Sequence, residues 1–262
     1  MSSEAVPSLP AWDRPFFQPG GPSASLDYIV LGRFVQPIEI SMTAYATAGV
    51  PDFVDVTIHT RAEEPALFDD IPTSPAGQWL RANDATLYSR LKLCEEMVRL
   101  SGAVPDPPSL NYLRDTIGII QALMDQGGAA LLDKQAGRWW RPDQWKEQVW
   151  AKKALDVGAL IGATATRDEG ENGASWTVRT RGMRLFGRPD IQIRSTPENQ
   201  VDAAVRGVHA MARSLAQGRI IAEGARLRTS SLNGQLVCHI VDAFDDLLVG
   251  NDVIDIVFPA SA

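Results

Sequence analysis

The stretch from Trp176 to Ile191 constrains the chain more than any other. Trp176-Thr177-Val178-Arg179-Thr180-Arg181 alternates as a strand does, setting Trp176, Val178 and Thr180 on one face and Thr177, Arg179 and Arg181 on the other. Gly182 and Gly187 can take positive φ at two bends, and Pro189, which cannot donate to a ladder, belongs at a strand start or edge. Met183, Leu185 and Phe186 would plug this turn into a core, and Ile191 and Ile193 continue a further strand. The same stretch concentrates arginine in a chain of net charge −7: Arg179, Arg181, Arg184, Arg188 and Arg194 stand against Asp190. Guanidinium forks suit carboxylate and phosphate, which makes Arg179, Arg181, Arg184 and Arg188 the candidate anion- or partner-binding residues. The competing reading is a solvated sheet face whose arginines pair with neighbouring acids.

Composition narrows the field. At 262 residues the chain is long enough for one large domain or two modest ones, and its 45% apolar and 22% charged content is that of a folded protein. The acidic balance disfavours non-specific binding to phosphate backbones, so no nucleic-acid partner is expected. Cys94 and Cys238 are isolated, which provides neither a disulfide framework nor a zinc motif and fits a reducing compartment. Met1–Val6 lacks the basic and apolar regions of a signal peptide, and no apolar run reaches the ~20 residues of a membrane span. A cytoplasmic protein without a membrane role is the expectation.

In chain order, residues 1–23 form a Pro/Gly/Ser-rich arm, either docked through Trp12, Phe16 and Phe17 or a loose tail. Asp27–Gly32 and Phe53–His59 read as strands, the second half-buried with Val54, Val56 and Ile58 inward. Glu63–Pro75 reads as a loop. A helix is expected from Asp84 to Leu100, with a stripe of Leu87, Leu91, Cys94 and Val98 and Gly102 as its stop. A second is expected from Ser109 as N-cap to Gly127-Gly128, followed by a short strand over Ala129–Leu132. Four of seven tryptophans, Trp139, Trp140, Trp145 and Trp150, follow, as a stacking platform for a planar ligand or as core. Residues 156–262 are strand-richer than 24–155. Asn172-Gly173 and Asn233-Gly234 read as hairpin turns, Thr196 as the cap of a helix with a Val201, Val205, Val208, Ala212, Leu215 stripe, and Val253–Phe258 as the last strand. Segregated strands and helices give the class α+β, mainly antiparallel sheet packed against helices, with two related or unequal subdomains allowed.

Dinucleotide, Walker, nucleophile-elbow and zincin motifs are all absent, and no cofactor is implied. His59, His209 and His239 have no metal-ligand spacing, and His239 reads as core or half-buried. Asp242, Asp245, Asp246, Asp252 and Asp255 lack the spacing of a calcium loop and read as turn residues. No metal site is expected.

Thr180-Arg181-Gly182-Met183 followed by Phe186-Gly187-Arg188-Pro189-Asp190-Ile191 resembles the signature of a bacterial domain-of-unknown-function family, Thr-x-Gly-Met-x-x-Phe-Gly-x-Pro-Glu/Asp-Leu/Ile. The resemblance implies an α+β bacterial domain and attaches no catalytic residue to the pattern. Two functions are thereby left: a non-enzymatic recognition or accessory, immunity-type domain acting on a protein partner or a second copy of itself, or a hydrolase whose site is assembled from dispersed residues such as His59, Asp55 and Arg181.

Overall fold

The computed structural model describes residues 9–152, 155–170, 173–229, 232–241 and 251–257. The fold is α+β with two mainly antiparallel sheets, and the chain divides into two compact units. The first is built from Leu26–Ala103 and Ser109–Asp156, joined by the residues just before Arg14. The second takes Arg14–Ser25, Val104–Pro108 and the chain from Val157 onward. Among the described residues no helix is long and apolar enough to cross a membrane.

The first unit contains β1 (Ala24–Gly32), β2 (Val54–Thr60), α1 (Pro65–Thr73), α2 (Pro75–Asn83), α3 (Ala85–Leu91), β3 (Glu96–Val104), α4 (Asn111–Asp125), β4 (Gly128–Asp133), β5 (Arg138–Trp140) and α5 (Pro142–Trp145), which widens into a π-helical turn over Lys146–Trp150. Its five strands run in the order β2-β3-β1-β4-β5. One sheet face presents Ile29, Leu31, Met97, Ala130 and Leu132 to Phe68, Leu80, Leu87 and Leu91 of the three short helices. α4 is apolar around most of its girth and buried along its whole length, as a helix packed on several sides must be. The segment between β1 and β2 lies against it: Thr47 Oγ1 donates to the Asp115 carbonyl at 3.0 Å, and Ala48 N to Asp115 Oδ1 at 2.9 Å. Gly118 makes this approach feasible, because a Cβ there would stand 2.3 Å from the Tyr45 carbonyl oxygen.

The structure corrects four expectations here. Glu63–Pro75 is not a loop, since Pro65 and Pro75 occupy helix-starting positions where a missing N–H costs nothing, and Ser74 Oγ caps α2 by accepting from Gly77 N at 3.1 Å. The helix expected over Asp84–Leu100 does begin after an Asp84 cap, but it stops at Leu91. Glu96–Val104 is instead a strand between β2 and β1, with Met97 buried on one face and Val98 and Leu100 on the other. Met97 and Val98, consecutive and both buried, therefore imitate a helical stripe. Ser109 does not cap α4; it bridges to Asp13, and Leu110 precedes the helix without a side-chain cap. The apolar face of β2 is not buried beyond Val54: Val56 is 41% and Ile58 55% exposed, because β2 is the sheet's edge.

The second unit contains β6 (Gly162–Gly170), β7 (Gly173–Arg181), β8 (Asp190–Thr196), α6 (Val201–Ala216), β9 (Arg226–Thr229), β10 (Leu232–Val241) and β11 (Val253–Val257), in the sheet order β6-β7-β8-β11-β10-β9. β8 and β11 pair in parallel, the other neighbours antiparallel. Val178, Ile191, Ile193, Ile254, Ile256, Leu236 and Cys238 are fully buried on the face that α6 covers. The helix stripe runs through Ala204, Val208, Met211, Ala212 and Leu215, so Val201 and Val205 stay half-buried at its margin. Thr196 ends β8 and caps nothing, because a 3₁₀ turn at Glu198–Gln200 intervenes before α6. Asn233-Gly234 lies inside β10, at a register shift between Leu232 and Leu236. The residue pair that suits a tight turn also suits a bulge. Gly170 opposite Gly173 closes the first hairpin, and Asn172, Asp242, Asp245, Asp246 and Phe258 fall outside the described residues.

Glycine to alanine inside a helix ordinarily stabilises by up to ~1 kcal/mol. Gly118→Ala is expected to do the reverse, lowering unfolding free energy by about 1–3 kcal/mol in urea titrations, since its methyl meets the Tyr45 carbonyl.

Candidate functional site

The arginine-rich stretch resolves into three different environments. Gly182 and Gly187 have φ of 99° and 57° and flank a 3₁₀ turn that buries Met183, Leu185 and Phe186 completely. Thr180 Oγ1 donates to Asp190 Oδ1 at 3.0 Å and accepts from Ile191 N at 2.8 Å, while Asn251 Nδ2 donates to Asp190 Oδ2 at 2.8 Å. Burial raises the Asp190 pKa, and the bonds from Asn251 and Thr180 and the Arg179 charge act against that rise. The turn is thus tied to the head of β8 from inside.

Arg188 lies wholly in the interior, so the surface-binding role expected of it is corrected. Its Nη1 meets Asp106 Oδ1 at 2.6 Å, Nε donates to the Arg219 carbonyl at 3.0 Å, and Nη2 to those of Gly218 and Gln18 at 2.9 and 3.1 Å. A second buried arginine, Arg14, reaches the same Asp106 oxygen at 3.5 Å and donates to the carbonyls of Pro107, Phe186 and Ala216. Gly21 N holds the other Asp106 oxygen at 2.8 Å. Together the two guanidiniums satisfy carbonyls left open at and just beyond the C-terminus of α6, where positive charge is favourable. Arg184, half-buried, sits on the 3₁₀ turn and not on the sheet face.

Arg179 and Arg181 do share a surface. Arg179 stands opposite Thr164 and Gln192 in register, Gln192 opposite Asp255, Asp255 opposite His239, and Arg226 opposite Val237. Period-two alternation therefore gathers Arg179, Arg181, Arg194, Arg226 and Arg228 on the face away from α6. Arg226 and Arg228 are exposed, Arg179 and Arg181 half-buried. Two carboxylates on the same face are engaged: Asp255 takes Gln192 at 3.1 Å and both arms of Arg194, and Asp168 accepts from Thr177 Oγ1. Arg226 and Arg228 escaped the sequence reading, although Arg226-Leu227-Arg228 carries the same alternation that marked Arg179 and Arg181.

Asp55 and His59 share one side of β2, with His59 Nδ1 3.0 Å from Glu64 and Nε2 3.1 Å from Thr57 Oγ1, whereas Arg181 belongs to the other unit. His239 is exposed and bonded to Glu223 at 2.8 Å, contrary to a core placement, because β10 turns it to the uncovered face. Burial and the Arg213 charge lower the His209 pKa. No group of three metal-ligating side chains converges among the described residues. Burial pushes the Cys238 thiol up to about 11 and raises Cys94 as well, away from the thiolate that nucleophilic chemistry needs.

Trp139, Trp140 and Trp145 build core, and Trp150 is half-buried. Trp140 and Trp145 are fully buried and meet edge-to-face at 5.6 Å, Trp145 meets Tyr28 at 6.3 Å, and Trp139 Nε1 donates to the Ala76 carbonyl at 3.0 Å. Opposite Tyr28 in register is Asp133, fully buried, with one oxygen accepting from Ala136 N at 3.0 Å. Burial raises its pKa to about 7, the Ala136 and Gln135 amides offsetting only part of that rise.

Arg188→Ala should strand the Asp106 carboxylate and several carbonyls, costing about 3–5 kcal/mol and lowering Tm by roughly 10 °C. Arg228→Ala, on the exposed face, should stay within ~0.5 kcal/mol in the same calorimetry. Asp133 gives a pH signature: its folded pKa lies above its unfolded value near 4, so the folded state retains a proton that the unfolded chain has lost. Stability contributed by this group is therefore highest at low pH and is lost as pH rises from about 4 through about 7. The loss amounts to a few kcal/mol (on the order of 1.4 per unit). Urea midpoints compared at pH 5 and 8 should show Asp133→Asn removing that decline. Compared with protein-family models, curated proteins and solved structures, the chain matches none.

Proposed function

We propose that this protein acts by recognition, binding an acidic protein surface through the uncovered face of the six-stranded sheet. The supporting observation is the register that collects arginines from β7, β8 and β9 on one face of a chain whose overall charge is −7. Such a local field orients an acidic partner and raises its association rate while the acidic remainder repels other polyanions. Arg226 and Arg228 are the outermost contacts, and Arg194, already in a two-armed pair with Asp255, fixes the middle of the face. The role is accessory: the sheet presents charge to a partner.

The probe is poly-L-glutamate, compared with duplex DNA at equal charge concentration and constant ionic strength. Poly-L-glutamate should raise the melting temperature and duplex DNA should raise it far less. Arg226→Ala with Arg228→Ala should cut the polyglutamate affinity about tenfold with unfolding free energy unchanged. Equal response to both polymers, or an undiminished response in the double variant, would overturn the proposal.

A further inference from the structure

The edge of the first unit's sheet carries a second recognition surface, independent of the arginine face. Among the described residues, β2 has β3 on one side and no strand on the other. Edge strands are ordinarily short, charged or covered, because their open backbone groups recruit another strand. β2 is seven residues long and exposes Val56 and Ile58 at 41% and 55%, while Asp55 and Thr57 are exposed on its opposite side. Val98 and Leu100, the cross-strand neighbours of Ile58 and Val56, are fully covered, so the apolar surface continues from the core out to this edge.

The backbone phase of the edge follows from bonds at its two ends. Val54 N donates to the Pro51 carbonyl at 2.8 Å and the Thr60 carbonyl accepts from Glu63 N and Glu64 N, so these groups point away from β3. Arg61 N, one residue on, donates inward to the Glu95 carbonyl at 2.8 Å. Alternation then turns the N–H and C=O of Val56 and Ile58 outward, with those of Asp55, Thr57 and His59 directed at β3.

We propose that β2 pairs antiparallel with β2 of a second copy of this chain, about a two-fold axis at Thr57. The sequence Val54-Asp55-Val56-Thr57-Ile58-His59-Thr60 is self-complementary about that residue. Val56 faces Ile58 of the other copy twice, apolar against apolar. Asp55 faces His59 twice, an acid against a base. Thr57 faces itself. The phase agrees with the chemistry, since the outward groups of Val56 and Ile58 become the hydrogen-bonded pairs and Thr57 the non-hydrogen-bonded pair, where opposed Cα atoms stand ~4.5 Å apart. Displacing the register by one residue would set Asp55 against Ile58 and Val56 against Thr57. A closed two-fold contact of this kind joins two five-stranded sheets into one and covers the β2 edge of both copies.

Sedimentation equilibrium of the full chain tests the assembly, and disulfide trapping tests its register. Wild type should sediment at twice the monomer mass. Ile58→Lys, counted twice across the axis, should weaken the dimer roughly a hundredfold with the melting temperature of the monomer retained. Thr57→Cys should form an interchain disulfide under mild oxidation, its Cα separation lying within the bridgeable range, and Val56→Cys should not, since that position faces residue 58. Native Cys94 and Cys238 are buried and leave the background low. A monomeric wild type, or a dimer that survives Ile58→Lys and resists trapping at residue 57, would overturn the proposal. Neither result depends on polyglutamate binding.

Discussion

The second unit is assembled from three separated pieces of chain, and one buried ionic node holds them together. Arg14 comes from the first piece, Asp106 from the second and Arg188 from the third. A single carboxylate between two guanidiniums would be a poor arrangement in a dry interior if charge were its only term. It is tolerable here because both arginines also donate to backbone carbonyls, those of the buried Pro107, Phe186, Ala216 and Gly218 and those of Gln18 and Arg219. The hydrogen bonds, more than the ion pairing, make the burial affordable. Gly187 completes the arrangement: with φ of 57° and the Pro22 carbonyl 2.5 Å from where a Cβ would be, its position admits no side chain.

That node explains why the stretch around it was legible in the sequence as structure but not as chemistry. The positive-φ glycines, the plug of Met183, Leu185 and Phe186 and the two faces of β7 all follow from local rules. What Arg188 does could not follow, because its partners lie 82 residues back at Asp106 and 30 or more residues forward in the chain. An arginine beside exposed arginines looks like one more of them until burial separates it. The same limit applies to Arg226 and Arg228, whose alternation was readable but whose place on the same sheet face as Arg194 and Arg179, three and four strands away, depends on a strand order that skips from β8 to β11.

In the first unit, local signals failed wherever tertiary pairing overruled them. Leu87, Leu91, Cys94 and Val98 keep helical spacing across a boundary where the backbone has already become a strand. β2 alternates as a half-buried strand should, yet its apolar row faces outward, because periodicity reports which side chains share a face and never whether anything covers it. Burial of the tryptophans, by contrast, needed no special geometry. Large aromatics brought together by short connections fill the space between a sheet and its helices.

The parallel pairing of β8 with β11 has a consequence for how the chain is made. Val253–Val257 does not close the edge of the sheet; it fills a slot between β8 and β10. Until the ribosome has delivered those residues, β8 has an open side, Asp190 lacks Asn251, and β10 with β9 has nothing to join. The second unit thus completes its sheet only once Val253–Val257 has been made, while the first, whose described strands all precede residue 141, can finish earlier. An interrupted chain ending shortly before residue 253 would carry a hydrophobic strand with one unprotected side, the kind of surface that aggregates and that cellular quality control removes.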